Sequence, residues 1–101
     1  MAEVLWTDLA LEDLRSIQRY IAFDKPDAAK KLADRLRQRV RDLASHPLSG
    51  RRVPEFPRSG YREVIVAPYR IVYEVEGEEL RVLRVWHGRR ELTFEKLTRP
   101  G

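Results

Sequence analysis

The chain of 101 residues contains no cysteine, which excludes disulfides, thiolate nucleophiles and cysteine-based zinc sites. Histidine is nearly as scarce. His46 and His87 are the only two, and neither a Gly-rich phosphate loop nor a Ser/His/Asp order accompanies them. No metal and no cofactor are therefore expected. Apolar runs are only a few residues long, far short of the roughly 20 needed to span a bilayer, so no membrane is expected as a partner. The opening Met-Ala-Glu-Val-Leu-Trp lacks the basic region and apolar core of a secretory leader. Together with the missing cysteine, this predicts a cytoplasmic address.

What is present suits a small folded unit. Hydrophobic residues make up 43% and charged residues 36%, too apolar for disorder and too charged for a membrane protein. The length predicts a single domain over 1–101, with 91–101 as a C-terminal tail. The net charge is +4, and of twenty basic residues only Lys25, Lys30, Lys31 and Lys96 are lysine. Arginine is always charged and pairs bidentately with carboxylate or phosphate. The balance points to an anionic partner: nucleic acid, a ribosome or an acidic protein segment.

Glu3-Val4-Leu5-Trp6 reads as a short strand, followed by Thr7 or Asp8 as a helix cap. Ala10, Leu14, Ile17 and Ile21 then form one apolar stripe, with Glu12, Asp13, Arg15 and Arg19 expected to face outward. Asp24-Lys25-Pro26-Asp27 interrupts the pattern, and proline belongs in a first helical turn, not in an interior. A second stripe follows in Ala29, Leu32, Ala33, Leu36, Val40 and Leu43. The short break predicts an antiparallel helical hairpin. Residues 46–60, with Pro47, Gly50, Pro54, Pro57 and Gly60, read as a long loop. Runs at 61–67, 69–75 and 80–87 are rich in Val, Ile and Tyr, as strands are, and Glu76-Gly77-Glu78 suits a hairpin turn. The order β-α-α-β-β-β predicts an α+β fold, with the helical hairpin on one face of a curved antiparallel sheet and the other face open.

Three residues stand out chemically. Glu55 lies in the loop, Arg70 on a strand and His87 at a strand end. A carboxylate, a guanidinium and an imidazole suffice to cleave RNA without metal: one accepts the 2′-hydroxyl proton, one neutralises the phosphate, one protonates the leaving oxygen. Equally, Glu55 and Arg70 can be an ion pair that pins the loop. Arg84, Arg89 and Arg90 surround Gly88, and Arg51, Arg52 and Arg62 lie around the loop and first late strand. These are candidate contacts to nucleic acid or another target. Trp6 and Trp86 are assigned to the core.

The chain resembles the RelE/ParE superfamily of type II toxin–antitoxin toxins. The resemblance is carried by Trp6-Thr7, Asp13-Leu14, Ile17, Tyr20-Ile21-Ala22, Asp24, Pro26 and Ala28-Ala29, then Pro47 and Gly50-Arg51. It continues in Arg62-Glu63-Val64, Tyr69-Arg70-Ile71-Val72-Tyr73 and Val85-Trp86-His87-Gly88-Arg89-Arg90-Glu91-Leu92. It implies two helices on a curved sheet, a cognate antitoxin that wraps and neutralises the toxin, and growth arrest when the toxin is free. RelE-like and YoeB-like members cut mRNA on the ribosome, and Glu55, Arg70 and His87 fall where YoeB-like nucleases carry their catalytic residues. ParE-like members instead inhibit DNA gyrase. The YoeB-like pattern follows its histidine with tyrosine, where this chain has Gly88, and RelE-like sites use lysines in the loop and first strands, where this chain has none between Lys31 and Lys96. The hairpin and the His87-Gly88-Arg89-Arg90 ending look more like ParE. Gyrase inhibition is the expected activity, with mRNA cleavage by Glu55, Arg70 and His87 as the alternative.

Overall fold

A computed structural model describes residues 1–99. β1 (Glu3–Trp6) leads into α1 (Asp8–Ala22) and α2 (Pro26–Ser45), followed by β2 (Arg51–Arg52), β3 (Arg62–Val66), β4 (Tyr69–Glu76) and β5 (Glu79–His87). A 3₁₀ turn, Glu95–Leu97, closes the described chain; the last two residues of the expected tail lie outside the described residues. Thr7 is the cap of α1, its hydroxyl oxygen accepting the Ala10 N–H at 3.1 Å and so satisfying one otherwise orphaned donor. Pro26 opens α2 in the first turn, the position where its missing N–H costs nothing.

The sheet order is β1-β5-β4-β3-β2. β1 runs parallel to β5, whereas β5, β4, β3 and β2 pair antiparallel. The sheet is therefore mixed, which corrects the expected all-antiparallel arrangement. The two antiparallel helices cancel each other's direction, so the chain re-enters β3 heading as it left β1. The β3-β4-β5 meander reverses twice more and lays β5 parallel to β1. β2 is an added two-residue edge strand inside the segment expected to be only a loop. Gly77 turns β4 into β5 with φ of +60°, backbone that a side chain would strain.

β1 covers only Glu79–Val82 of β5. Beyond it, side chains stand in for a strand. The Thr7 hydroxyl donates to the Leu83 carbonyl at 3.1 Å, and Asp13 Oδ2 accepts the Val85 N–H at 3.0 Å. Asp13, expected to face solvent from α1, thus turns inward to close the open sheet edge.

Two cores result. The first lies between the helices and the sheet, where Leu14, Leu36, Val40 and Leu43 meet Ile71, Tyr73, Leu80 and Val82. The second lies on the opposite face, where Val53, Val72, Leu83, Trp86, Leu92 and Leu97 pack with Phe56 and Tyr61. The expectation of an open second face is corrected here. Val72, Leu83 and Trp86 are apolar side chains on that face, and the loop around Val53–Tyr61 and the segment from Leu92 to Leu97 fold over them. Part of the expected tail is core.

The Tyr73 hydroxyl locks the turn after α2. It accepts the Gly50 N–H at 2.9 Å and donates to the Pro47 carbonyl at 2.7 Å. A Cβ at Gly50 would stand 2.8 Å from the Glu63 carbonyl oxygen and closer still to that hydroxyl, so only glycine fits.

Candidate functional site

Strand alternation decides which of the singled-out residues share a surface. In the β4–β5 register Tyr69 faces His87 and Arg70 faces Trp86. Neighbours along a strand point to opposite sides of the sheet. His87 therefore sits with Tyr69 on the helix side, and Arg70 sits on the other.

On Arg70's side four charges alternate. Arg51 Nε donates to Glu63 Oε2 at 2.7 Å, and Arg70 Nε donates to Glu63 Oε1 at 2.6 Å. Both terminal nitrogens of Arg70 are taken by Glu55, at 2.7 Å each. Glu63 is 1% exposed, and each of its carboxylate oxygens is held by a guanidinium, the pairing that a buried carboxylate requires. The hydrogen bonds from Arg70 hold the Glu55 carboxyl below its usual range, and the pairing with Glu55, with Glu63 behind it, raises the pKa of Arg70. As arranged, Glu55 is a weakened base and Arg70 has its outer edge occupied. A shallow depression of about 420 Å³ beside them is lined by Arg51, Pro54, Glu55, Ile65 and Arg70.

His87 belongs to a different groove. Its ring meets Tyr69 edge-on at 5.5 Å between centroids, and its Nδ1 accepts the Arg89 N–H at 3.1 Å. That acceptor role leaves the proton of a neutral ring on Nε2. The groove, about 310 Å³, runs between α1 and the half of β5 that extends beyond β1 and is paired on one edge only, by β4. Its walls include Glu12, Ser16, Ile17, Tyr69, His87 and Arg90. Burial pushes the Tyr69 hydroxyl up. The fold thus brings Glu55 and Arg70 together and leaves His87 across the sheet.

The arginine cluster around Gly88 also divides. Arg84 is 4% exposed. Its Nε and Nη2 bind Asp13 at 2.8 Å each, and its Nη1 donates to the carbonyls of Lys96 at 2.7 Å and Arg99 at 3.0 Å. Arg84 is consumed by the fold, which corrects its assignment to a target-binding cluster. Arg90 lies over the Trp86 ring at 3.9 Å and lines the groove. Arg89 is exposed. Arg51 is tied to Glu63, while Arg52 and Arg62 donate to the carbonyls of Pro57 at 3.2 Å and Gly50 at 2.8 Å. Sequence reasoning overlooked Glu63, which connects the network. Its signal was a carboxylate directly before Val64, Ile65 and Val66 in a strand expected to be half buried. Among the described residues no three His, Cys, Asp or Glu side chains converge as metal ligands would.

Residues 4–92 match the family model described as the ParE toxin of the type II toxin–antitoxin system parDE. A protein of Caulobacter vibrioides named Toxin RelE2 is 38% identical over 91 residues, 89% of this chain and 99% of that protein. The putative toxin Y4kP of Sinorhizobium fredii is 37% identical over 90 residues, 87% of this chain and 90% of that one. In three dimensions the chain is similar to one from the chromosomal ParDE TA system of P. aeruginosa, with TM-score 0.74 and 24% identity over 86% of this chain and 96% of that chain. That likeness agrees in fold, with two helices against a strand layer. The match over nearly the whole length, together with the shared fold, places this chain in the ParE toxin family of type II toxin–antitoxin systems, within the RelE/ParE superfamily.

Proposed function

We propose that this chain is the toxin of a type II toxin–antitoxin module, that a cognate antitoxin holds it silent, and that the free toxin arrests growth by inhibiting DNA gyrase. The single observation behind the choice of target is the division of the three candidate nuclease residues between two faces of the sheet. Acid–base cleavage of a phosphodiester needs base and acid on opposite sides of one reacting phosphate, within hydrogen-bond reach. Here the base is locked onto Arg70 and the imidazole lines a separate groove. The matched family model is that of the ParE toxin, the branch for which gyrase inhibition is expected; the relative named RelE2 keeps mRNA cleavage as the alternative.

The groove between α1 and the open half of β5 is the proposed seat of the antitoxin. It has an apolar floor in Ile17 and Tyr69, charged walls in Glu12 and Arg90 and a polar one in His87, a surface that suits an amphipathic segment folding as it binds.

Purified toxin added to gyrase and relaxed plasmid tests the target. Loss of supercoiling as toxin is titrated in is expected, together with intact mRNA on ribosomes programmed with the same toxin. His87→Ala is expected to remain toxic. Unaffected gyrase at toxin excess, with mRNA cut in a His87-dependent way, would replace gyrase inhibition by the nuclease alternative.

A further inference from the structure

The cations of this protein are not spread evenly once ion pairs are counted. On the sheet, Arg51, Arg70, Arg81 and Arg84 are each bound to carboxylates. A second group is left over. Lys31, Arg35 and Arg39 follow one another at every fourth residue of α2, which stacks them along one shoulder of the helix, each about 6 Å further along its axis. α2 packs against β3, and Arg62 of β3 donates to the Gly50 carbonyl just past the end of α2 at 2.8 Å, so the row continues onto β3. There Arg62 stands directly opposite Arg52 of β2. None of these five has a carboxylate within 4.0 Å among the described residues.

The Arg52–Arg62 register makes the row more than a solvated charge run. Like charges directly opposite across two strands destabilise a sheet, and here each is met only by a backbone carbonyl. Those carbonyls tie the two side chains to the loop but leave both positive charges unneutralised within the fold. A surface that keeps it is suited to an external anion. The row also lacks the apolar anchors that a bound peptide segment needs. The large exposed hydrophobic side chains are Met1, Leu5, Tyr20, Phe23, Leu48, Ile65 and Phe94, and none of them belongs to α2 or β2. What fits is a regular, stiff polyanion touched through charge alone.

We infer that Lys31, Arg35, Arg39, Arg62 and Arg52 form a docking ridge for the phosphate backbone of duplex nucleic acid, read without regard to sequence. The inference does not depend on which target the toxin inhibits. The ridge lies on the outer side of α2 and the β2 edge, away from the groove beside His87.

The test is binding of the full chain to a fluorescent DNA duplex of arbitrary sequence as salt is varied. Contact with most of the ridge predicts a slope of log affinity on log salt of about −3 to −4.5. Arg35→Gln with Arg39→Gln, and separately Arg52→Gln with Arg62→Gln, should each make the slope shallower by about two. The second pair removes a like-charge contact and also two hydrogen bonds to loop carbonyls, so its melt is recorded alongside, and the slope is read on protein still folded at the assay temperature. Lys30→Gln with Arg37→Gln, on the other shoulder of α2, should leave the slope unchanged. A parent slope near zero would overturn the inference. So would an equal loss from the Lys30 and Arg37 pair, or binding of polyglutamate as tight as that of the duplex.

Discussion

Asp13 of α1 and Arg84 of β5 stand 71 positions apart in the chain and meet through two hydrogen bonds of 2.8 Å. The same carboxylate accepts the Val85 N–H, and the same guanidinium gathers two carbonyls from the C-terminal segment. One ion pair thus joins the first helix, the open sheet edge and the lid over the second core. Arg84 is buried and Asp13 nearly so, with side-chain exposures of 4% and 13%.

Asp13→Ala should therefore destabilise the protein by about 3 kcal/mol, because it leaves a buried cation without its counter-charge and a strand N–H without an acceptor. Asp13→Asn keeps an oxygen for Val85 and should cost less. Urea unfolding of both variants checks the order.

Tyr73→Phe should cost about 1–3 kcal/mol, since the Gly50 N–H and the Pro47 carbonyl lose their buried partner together. Gly50→Ala should cost at least as much, because its new methyl group would run into the Glu63 carbonyl and the Tyr73 hydroxyl. Thermal melts of the two single variants and the double variant are the measurement. The double variant should fall short of the sum, as both changes act on one contact.

Glu55 contributes a pH dependence. Its folded pKa lies below the ordinary value of 4.5 because Arg70 hydrogen-bonds the charged form. Its stabilising contribution is then fully present above pH 4.5 and is lost as pH falls through the depressed folded value. Unfolding free energy measured from pH 6 downward should decline more steeply below about pH 4.5 in the parent than in Glu55→Gln. Parallel curves for the two would show that the pair carries no linkage.

Leu97→Ala should cost about 2–4 kcal/mol although it lies near the chain end. Leu97 is 2% exposed and packs in the cluster that contains Trp86 and Val72. Ending the chain after Glu91 would also remove Leu92 and the two carbonyls on Arg84, and should cost more. A truncated protein as stable as the parent in guanidinium would contradict the description of 92–97 as core.

Much of the local structure was legible because it rests on short-range periodicity. The stripes of α1 and α2, the break at Pro26 and the turn at Gly77 follow from residue spacing and backbone sterics alone. Pairing partners were not legible. Val72 looked like an imperfect alternation, yet it marks a face buried by a loop that starts at Val53 and a segment that starts at Leu92, both far from it in the chain. Likewise Asp13 and Glu63 read as ordinary polar positions, because nothing nearby in the chain announces the arginines that bury them.

By itself, the sequence determined the helical hairpin, the three late strands, the basic balance and the family. Each depends on residues close together in the chain or on their order along it. Only the tertiary structure decided the parallel pairing of β1, the closing of the second sheet face and the separation of His87 from Glu55 and Arg70. Those depend on strand register and on which side of the pleat each side chain leaves, and a shift of one residue would reverse every such assignment.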